Sequence, residues 1–197
     1  ARMYDVSSGA IRIDGKDIRE HHLGQLRQHI GYVPQDVFLF SDTIANNIAF
    51  GKRDASREEI ESHARHAAVY DDIMELSDGF DTAVGERGVT LSGGQKQRVS
   101  IARAFVKKPD IVLLDDCLSA VDTKTEKQIL GYLSGALSNK TAIIITHRIY
   151  SLLNFDKIIV MEDGAVVEEG THEELLRKNG YYQELFEKQR LEEAEAE

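Results

Sequence analysis

Leu91-Ser92-Gly93-Gly94-Gln95, followed after a helical interval by Ile111-Val112-Leu113-Leu114-Asp115-Asp116, decides the fold of this chain. Ser92 and Gln95 have the spacing of a capping box, which closes the start of a helix with two reciprocal bonds. A cap accounts for the serine and the glutamine but not for the glycines. Each Gly in a first turn costs up to ~1 kcal/mol relative to Ala. Paired glycines fit a place where backbone closely approaches a ligand, and a helix N-terminus with free N–H groups suits an anion. Cap and phosphate contact both stay open on these residues alone. Val99, Ala102 and Phe105/Val106 form the apolar stripe of the helix that follows.

Ile111 to Leu114 is a continuous apolar run, as in a parallel strand buried on both faces. It ends in two adjacent carboxylates, and in open α/β sheets ligands sit at the carboxyl ends of strands. Two buried acids side by side repel, and a cation relieves the repulsion. Mg²⁺ is the natural candidate, held by carboxylate oxygens and phosphates. A helix cap explains one Asp, rarely both. A second buried strand, Thr141 to Thr146, leads to His147, which is placed to donate a hydrogen bond to a phosphate. Gln35 follows Pro34 at the end of a strand Gly31 to Val33 and carries little signal by itself.

Outward from these stretches the chain alternates strands and helices, which predicts an α/β sheet with helices packed on it. Ala1 to Gly9 reads as the end of a helix running into a turn. Ala10 to Ile13 reads as a strand before an Asp14-Gly15 turn, and Leu23 to Ile30 as a short helix. Thr43 to about Met74 is helical in pattern, with a capping box at Ser56-x-x-Glu59. Asp122 to Leu137 is helical. Lys157 to Met161 and Ala165 to Glu168 read as an edge hairpin about Asp163-Gly164. Thr171-x-x-Glu174 caps a final pair of helices, and Leu191 to Glu197 reads as a frayed, solvated helix end.

The 197 residues are 42% apolar, enough for a sizeable core, with a formal charge of −10. That charge argues against a nucleic-acid partner, which needs a basic face. Cys117 is the only cysteine, so no internal disulfide forms, as suits a reducing compartment. No signal-peptide pattern is visible, and apolar runs such as Ala142 to Ile145 are too short to cross a bilayer. The chain itself is expected to be soluble.

Taken together, these spacings resemble the ATP-binding cassette (ABC) family over essentially the whole chain. Leu91 to Gln95 resembles its signature loop, Ile111 to Asp116 its Walker B strand, and Ser119-Ala120-Val121-Asp122 its D-loop. His147 and Gln35 stand as its switch histidine and Q-loop glutamine. Val84-Gly85-Glu86-Arg87-Gly88, Gly170 to Leu175 and Gly180-Tyr181-Tyr182 are similar to the exporter branch, the first to the loop that touches the membrane domain. The resemblance implies a RecA-like P-loop NTPase core with a parallel sheet and an inserted helical subdomain. The subdomain would span about 43–106, the α/β core 1–42 and 107–190, and the acidic tail 191–197. Two such domains would work head to tail at the cytoplasmic face of the cell (inner) membrane, with ATP and Mg²⁺ between one subunit's Walker motifs and the other's signature loop. Asp115 would hold Mg²⁺, Asp116 would be the general base, and Gln35 and His147 would sense metal and γ-phosphate. Ser92, Gly93, Gly94 and Gln95 would serve the partner's nucleotide, and Asp122 would link the sites.

Two departures qualify this. No G-x-x-x-x-G-K-[ST] loop occurs; Gly9 with Gly15-Lys16-Asp17 is spaced one residue too long, and Asp17 lacks the needed hydroxyl. The chain therefore reads as N-terminally truncated, lacking half of its own ATP site. Asp116 stands where the family usually has Glu, setting the carboxylate back by roughly 1.5 Å. That resembles the weakened site of a heterodimeric exporter, whose partner would supply the competent Walker B. Rival readings are a cassette ATPase of DNA repair or translation and a nucleotide-sensing module without turnover. The acidic charge and the Val84–Gly88 loop oppose the first.

Overall fold

The computed structural model describes residues 1–85, 89–149 and 155–196. They form two compact units, Ala1–Ile145 and Thr146–Glu197.

The first unit is built on three parallel strands, β3 (Ile30–Val33), β4 (Ile111–Asp115) and β5 (Thr141–Ile145), in the order β3-β4-β5. Val33 pairs with Leu114 and Asp115 with Ile145, so the three carboxyl ends finish level. A small antiparallel pair, β1 (Arg12–Ile13) and β2 (Lys16–Asp17), turns through Asp14 and Gly15, both at positive φ. Ile13 and Ile18, the latter in a 3₁₀ turn, pack with Leu26 of α1 (Leu23–His29) and with Ile30, Ile111 and Leu113. The other face carries Val33, Val112 and Leu114, against α2 (Ile44–Ala49), α3 (Arg57–His66), α4 (Tyr70–Met74) and α5 (Gly93–Phe105). The stripe Val99, Ala102, Phe105 and Val106 is buried there as its spacing requires. Both capping boxes of this unit form, Ser56 with Glu59 and Ser92 with Gln95.

Two expectations change. No helix occupies residues 1–9: Arg2 is left-handed at φ 53, and Arg27 donates to the Ala1 and Arg2 carbonyls, which a helix would have used internally. Nor is β5 buried on both faces. Ile144 packs on the core, but Ile143 and Ile145 are 54% and 56% exposed. Side chains alternate along the strand, and the face that carries Thr141, Ile143 and Ile145 is exposed while that of Ile144 packs on the core.

Arg103 and Asn47 hold the segment after β3. The Arg103 guanidinium donates to the Asn47 carbonyl and Oδ1 at 2.8 Å and to the Phe38 carbonyl at 2.9 Å. Asn47 is buried, accepts the Phe40 N–H at 2.9 Å and donates to the Phe40 and Thr43 carbonyls at 3.0 Å. Each polar group taken from water thus finds a partner.

In the second unit β6 (Ile158–Glu162) and β7 (Ala165–Gly170) form their own antiparallel sheet, turning at Asp163-Gly164. α7 (His172–Lys178) starts on the Thr171–Glu174 capping box, and α8 (Tyr181–Ala196) continues through the acidic tail. Ile149, Ile158, Leu175 and Tyr182 make its core. Among the described residues, no helix is long and apolar enough to cross a membrane.

Candidate functional site

The level carboxyl ends of β3 and β4 place Gln35, Asp115 and Asp116 at one edge of the sheet. Gln35 is exposed. The two carboxylates are half-buried rather than buried, because the edge at which they sit opens to solvent. The Tyr32 hydroxyl is pushed above its ordinary pKa, first by burial and then by the negative charge of Asp115.

Asp116 ends the strand sharply. Its N–H still bonds the Ile145 carbonyl at 2.8 Å, yet its φ is +42, in the left-handed region. Asp tolerates that region better than most side chains, at a cost of order 1 kcal/mol or more. The Ser119 hydroxyl donates to the Asp116 carbonyl at 2.9 Å and locks the turn. Cys117 is buried beneath it. Burial, then the charges of Asp116 and Asp115, push its thiol up to about 12. A thiol with that pKa is almost wholly protonated at pH 8, so attack on Ellman's reagent should be slower by on the order of a thousandfold than for a free cysteine. Thiol titration should find no reactive group in the folded chain and one after denaturation; rapid reaction without denaturant would contradict the burial.

The signature stretch is held from two sides. At the start of α5 Ser92 Oγ accepts the Gln95 N–H at 3.2 Å and Gln95 Oε1 accepts the Ser92 N–H at 2.9 Å. The Gln95 amide donates onward to Asp72 at 3.0 Å, and Arg98 donates to the same carboxylate at 2.8 and 3.2 Å and to the Ala68 carbonyl. Burial pushes the Asp72 carboxyl up, but bonds from Arg98 and Gln95 outweigh it and its pKa ends lowered. Its support for the helix is therefore kept at neutral pH and lost only as pH falls through that lowered value. On the other side, buried Gln97 donates to Ser119 Oγ at 3.3 Å and accepts the Ala120 N–H at 3.1 Å.

Gly94 explains itself in this setting. A Cβ there would lie 2.7 Å from the Ala120 carbonyl oxygen, whereas one at Gly93 would meet only the Ala120 Cβ at 3.6 Å. Gly94 is required by packing inside the chain. Gly93 is not, and it is exposed. Asp122 is the N-cap of α6 (Thr123–Leu137), its Oδ1 accepting the Thr125 N–H at 3.0 Å, and this bond holds its carboxyl below the usual range. Asp72, Gln97 and Arg98 escaped the sequence reading because their partners lie more than twenty residues away, beyond any local spacing.

These features match known proteins. The ABC transporter family profile matches residues 1–119. The chain belongs to the ABC transporter family. It is 52% identical over 188 residues to "ABC transporter B family member 24, mitochondrial" of Arabidopsis thaliana, covering 95% of this chain and 28% of that protein. It is 47% identical over 196 residues to human "ATP-binding cassette sub-family B member 6", covering 100% of this chain and 23% of the relative. A solved bacterial Atm1-family ABC exporter with ATP bound superposes with a TM-score of 0.91 at 47% identity, covering 96% of this chain and 33% of that one. The chain thus spans about a quarter of the length of the curated relatives it matches. The α/β architecture with a parallel sheet is that of an ABC nucleotide-binding domain.

The residues that resemble the Walker B acids, the Q-loop glutamine, the signature stretch and the D-loop all lie in the first unit, and His147 lies in the second. Of Val84–Gly88, Glu86, Arg87 and Gly88 lie outside the described residues. As a metal site the acids offer hard oxygen donors only. Among the described residues no cluster of three His, Cys, Asp or Glu side chains forms. Hard oxygen donors such as Asp115 and Asp116 are the kind Mg²⁺ takes, one or two carboxylates with water and phosphates completing its shell.

Proposed function

We propose that this ABC transporter chain is part of the ATP-binding and ATP-hydrolysing domain of an exporter subunit. The observation that carries this reading is the joint between Gly94–Gln97 and Ser119–Ala120, which ties the signature helix to the turn directly behind Asp115 and Asp116. One rigid joint then connects two ATP sites, the chain's own and its partner's. Residues 43–106 serve as the helical subdomain, 1–42 and 107–190 as the α/β core, and 191–197 as an acidic tail.

Asp115 would hold Mg²⁺ through water, with Gln35 as a further oxygen donor. Bound Mg²⁺ supplies charge neutralisation at the β- and γ-phosphates. Asp116 occupies the general-base position, and His147 donates a hydrogen bond where charge develops on the γ-phosphate. Ser92 and Gly93 present an exposed helix start to the partner's nucleotide, while Gln95 and Gly94 hold that start in place. Asp122 fixes the D-loop through its cap. A carboxylate displaced by ~1 Å can cost about 10²-fold in rate, so the Asp116 site is the weaker of two in a heterodimer. A groove lined by Val37, Phe38, Val84, Gly85, Val89 and Lys96 is the surface offered to a transmembrane domain, at the cytoplasmic face of the membrane.

Residues 1–197 contain no G-x-x-x-x-G-K-[ST] loop, whose N–H groups and Lys cradle the β- and γ-phosphates. Calorimetric titration of Mg-ATP into this 197-residue chain should therefore show only feeble binding, and no hydrolysis. Micromolar affinity would mean that the sites described here suffice for ATP, against the division of labour proposed.

A further inference from the structure

Gln189 of α8 grips the backbone on both sides of Arg148. Its Nε2 donates to the His147 carbonyl at 2.5 Å, and its Oε1 accepts the Ile149 N–H at 2.9 Å. Both ends of one planar amide are thus used on a segment forty residues earlier in the chain. The same segment is held locally where Thr146 Oγ1 accepts the Arg148 N–H at 2.9 Å. Ile149 is buried with Ile158, Leu175 and Tyr182, whereas His147 is exposed. Without the amide, the His147 carbonyl would lose this bond, and Thr146 would hold the peptide from its N–H side alone.

We propose that Gln189 is a positioning residue for His147. It fixes the peptide that carries the imidazole and thereby couples ATP hydrolysis to the seating of α8. The inference rests on the role given to His147 above. Docking of α8 itself does not depend on this amide. Tyr182, which is 2% exposed, bonds the His172 ring at 2.8 Å through its hydroxyl, and Phe186 packs against that ring at 5.2 Å. Those contacts hold the helix, which leaves the two Gln189 bonds to act on the histidine segment. Geometry matters here because a hydrogen-bond donor to developing charge loses its effect when it is displaced.

The test is a mutant cycle in the full-length transporter that contains this chain, reconstituted with its partner subunit and read as steady-state ATP hydrolysis by the site that His147 serves. The partner's own site is silenced so that its turnover does not mask the result. Gln189→Met keeps the side-chain length and removes both bonds. It should lower kcat about five- to tenfold, the effect of one or two lost hydrogen bonds, and leave KM within about twofold. Gln189→Glu keeps the acceptor for Ile149 and loses the donor to His147, so the segment stays folded while kcat still falls. In the His147→Ala background neither substitution should lower kcat further. An equal fold-loss in that background would overturn the proposal, since Gln189 would then act elsewhere. So would an unchanged kcat in Gln189→Met where His147→Ala is impaired. If His147→Ala itself turns over normally, the role assigned to His147 falls first, and the positioning claim falls with it.

Discussion

Ser92→Arg should remove most ATP hydrolysis from the assembled transporter, whereas Asp116→Asn should leave most of it. Ser92 is exposed at the start of α5, which the proposed function offers to the partner's nucleotide. A bulky cation there blocks closure of the competent site, and a loss of more than about tenfold is expected, consistent with the disruption of transition-state contacts. The substitution also breaks the capping box, at about 1 kcal/mol. Ser92→Thr retains a capping hydroxyl and separates that cost, which a melting curve reads directly. In the proposed function Asp116 belongs to the chain's own site, where the shorter carboxylate would stand back from the water it activates. Removing a base already out of place should change total turnover by less than about twofold, set against the roughly 10²-fold at stake in a well-placed one. Asp116→Glu is expected to add activity, provided the partner's signature loop is intact. Steady-state hydrolysis by the reconstituted variants decides. If Asp116→Asn abolishes turnover as completely as Ser92→Arg, Asp116 is a working base, the two sites are equivalent, and the heterodimer reading fails.

The second large effect separates two adjacent glycines. Gly94→Ala sets a methyl 2.7 Å from the Ala120 carbonyl oxygen, closer than real contacts allow, so α5 must shift from the D-loop or the turn must give. Overpacking of this kind costs about 1–3 kcal/mol, and it also loosens the joint on which the proposed coupling depends. Both the melting temperature of the 197-residue chain and ATPase activity in the transporter should fall. Gly93→Ala meets only the Ala120 Cβ, at 3.6 Å. Its methyl is accommodated within the chain, and trading Gly for Ala in a helical turn favours folding by up to ~1 kcal/mol. Its melting temperature should hold or rise, while activity falls because the methyl stands where the partner's nucleotide would approach. Thermal melts and hydrolysis assays on the same pair of variants check this. If Gly93→Ala retains full activity, no ligand closely approaches that backbone, and the assignment of the signature start to the partner's phosphate is wrong.

The sequence by itself determined the elements whose stabilising contacts are local. The caps at Ser56, Ser92 and Thr171 link residues three apart, and each appears in the structure with both of its bonds. The Ile111–Leu114 strand, the stripe along α5 and the Asp163-Gly164 hairpin were legible for the same reason, since period and turn chemistry act over a few residues. The stretches that resemble the signature, Walker B and D-loop motifs could be picked out from their order along the chain. Only the tertiary structure decided what binds those pieces together. Asp72 beneath Gln95 and Arg98, Gln97 against Ala120, Arg103 within the Asn47 network and Gln189 across His147 each join residues 23 to 56 positions apart, or about 40 in the last case. No periodicity marks such a pair, because a buried polar side chain is chosen by whichever carbonyl or amide the fold carries to it. Exposure followed the same rule. Ile143 and Ile145 have the composition of a strand buried on both faces, but burial depends on what packs against each face, and the face that carries them is exposed.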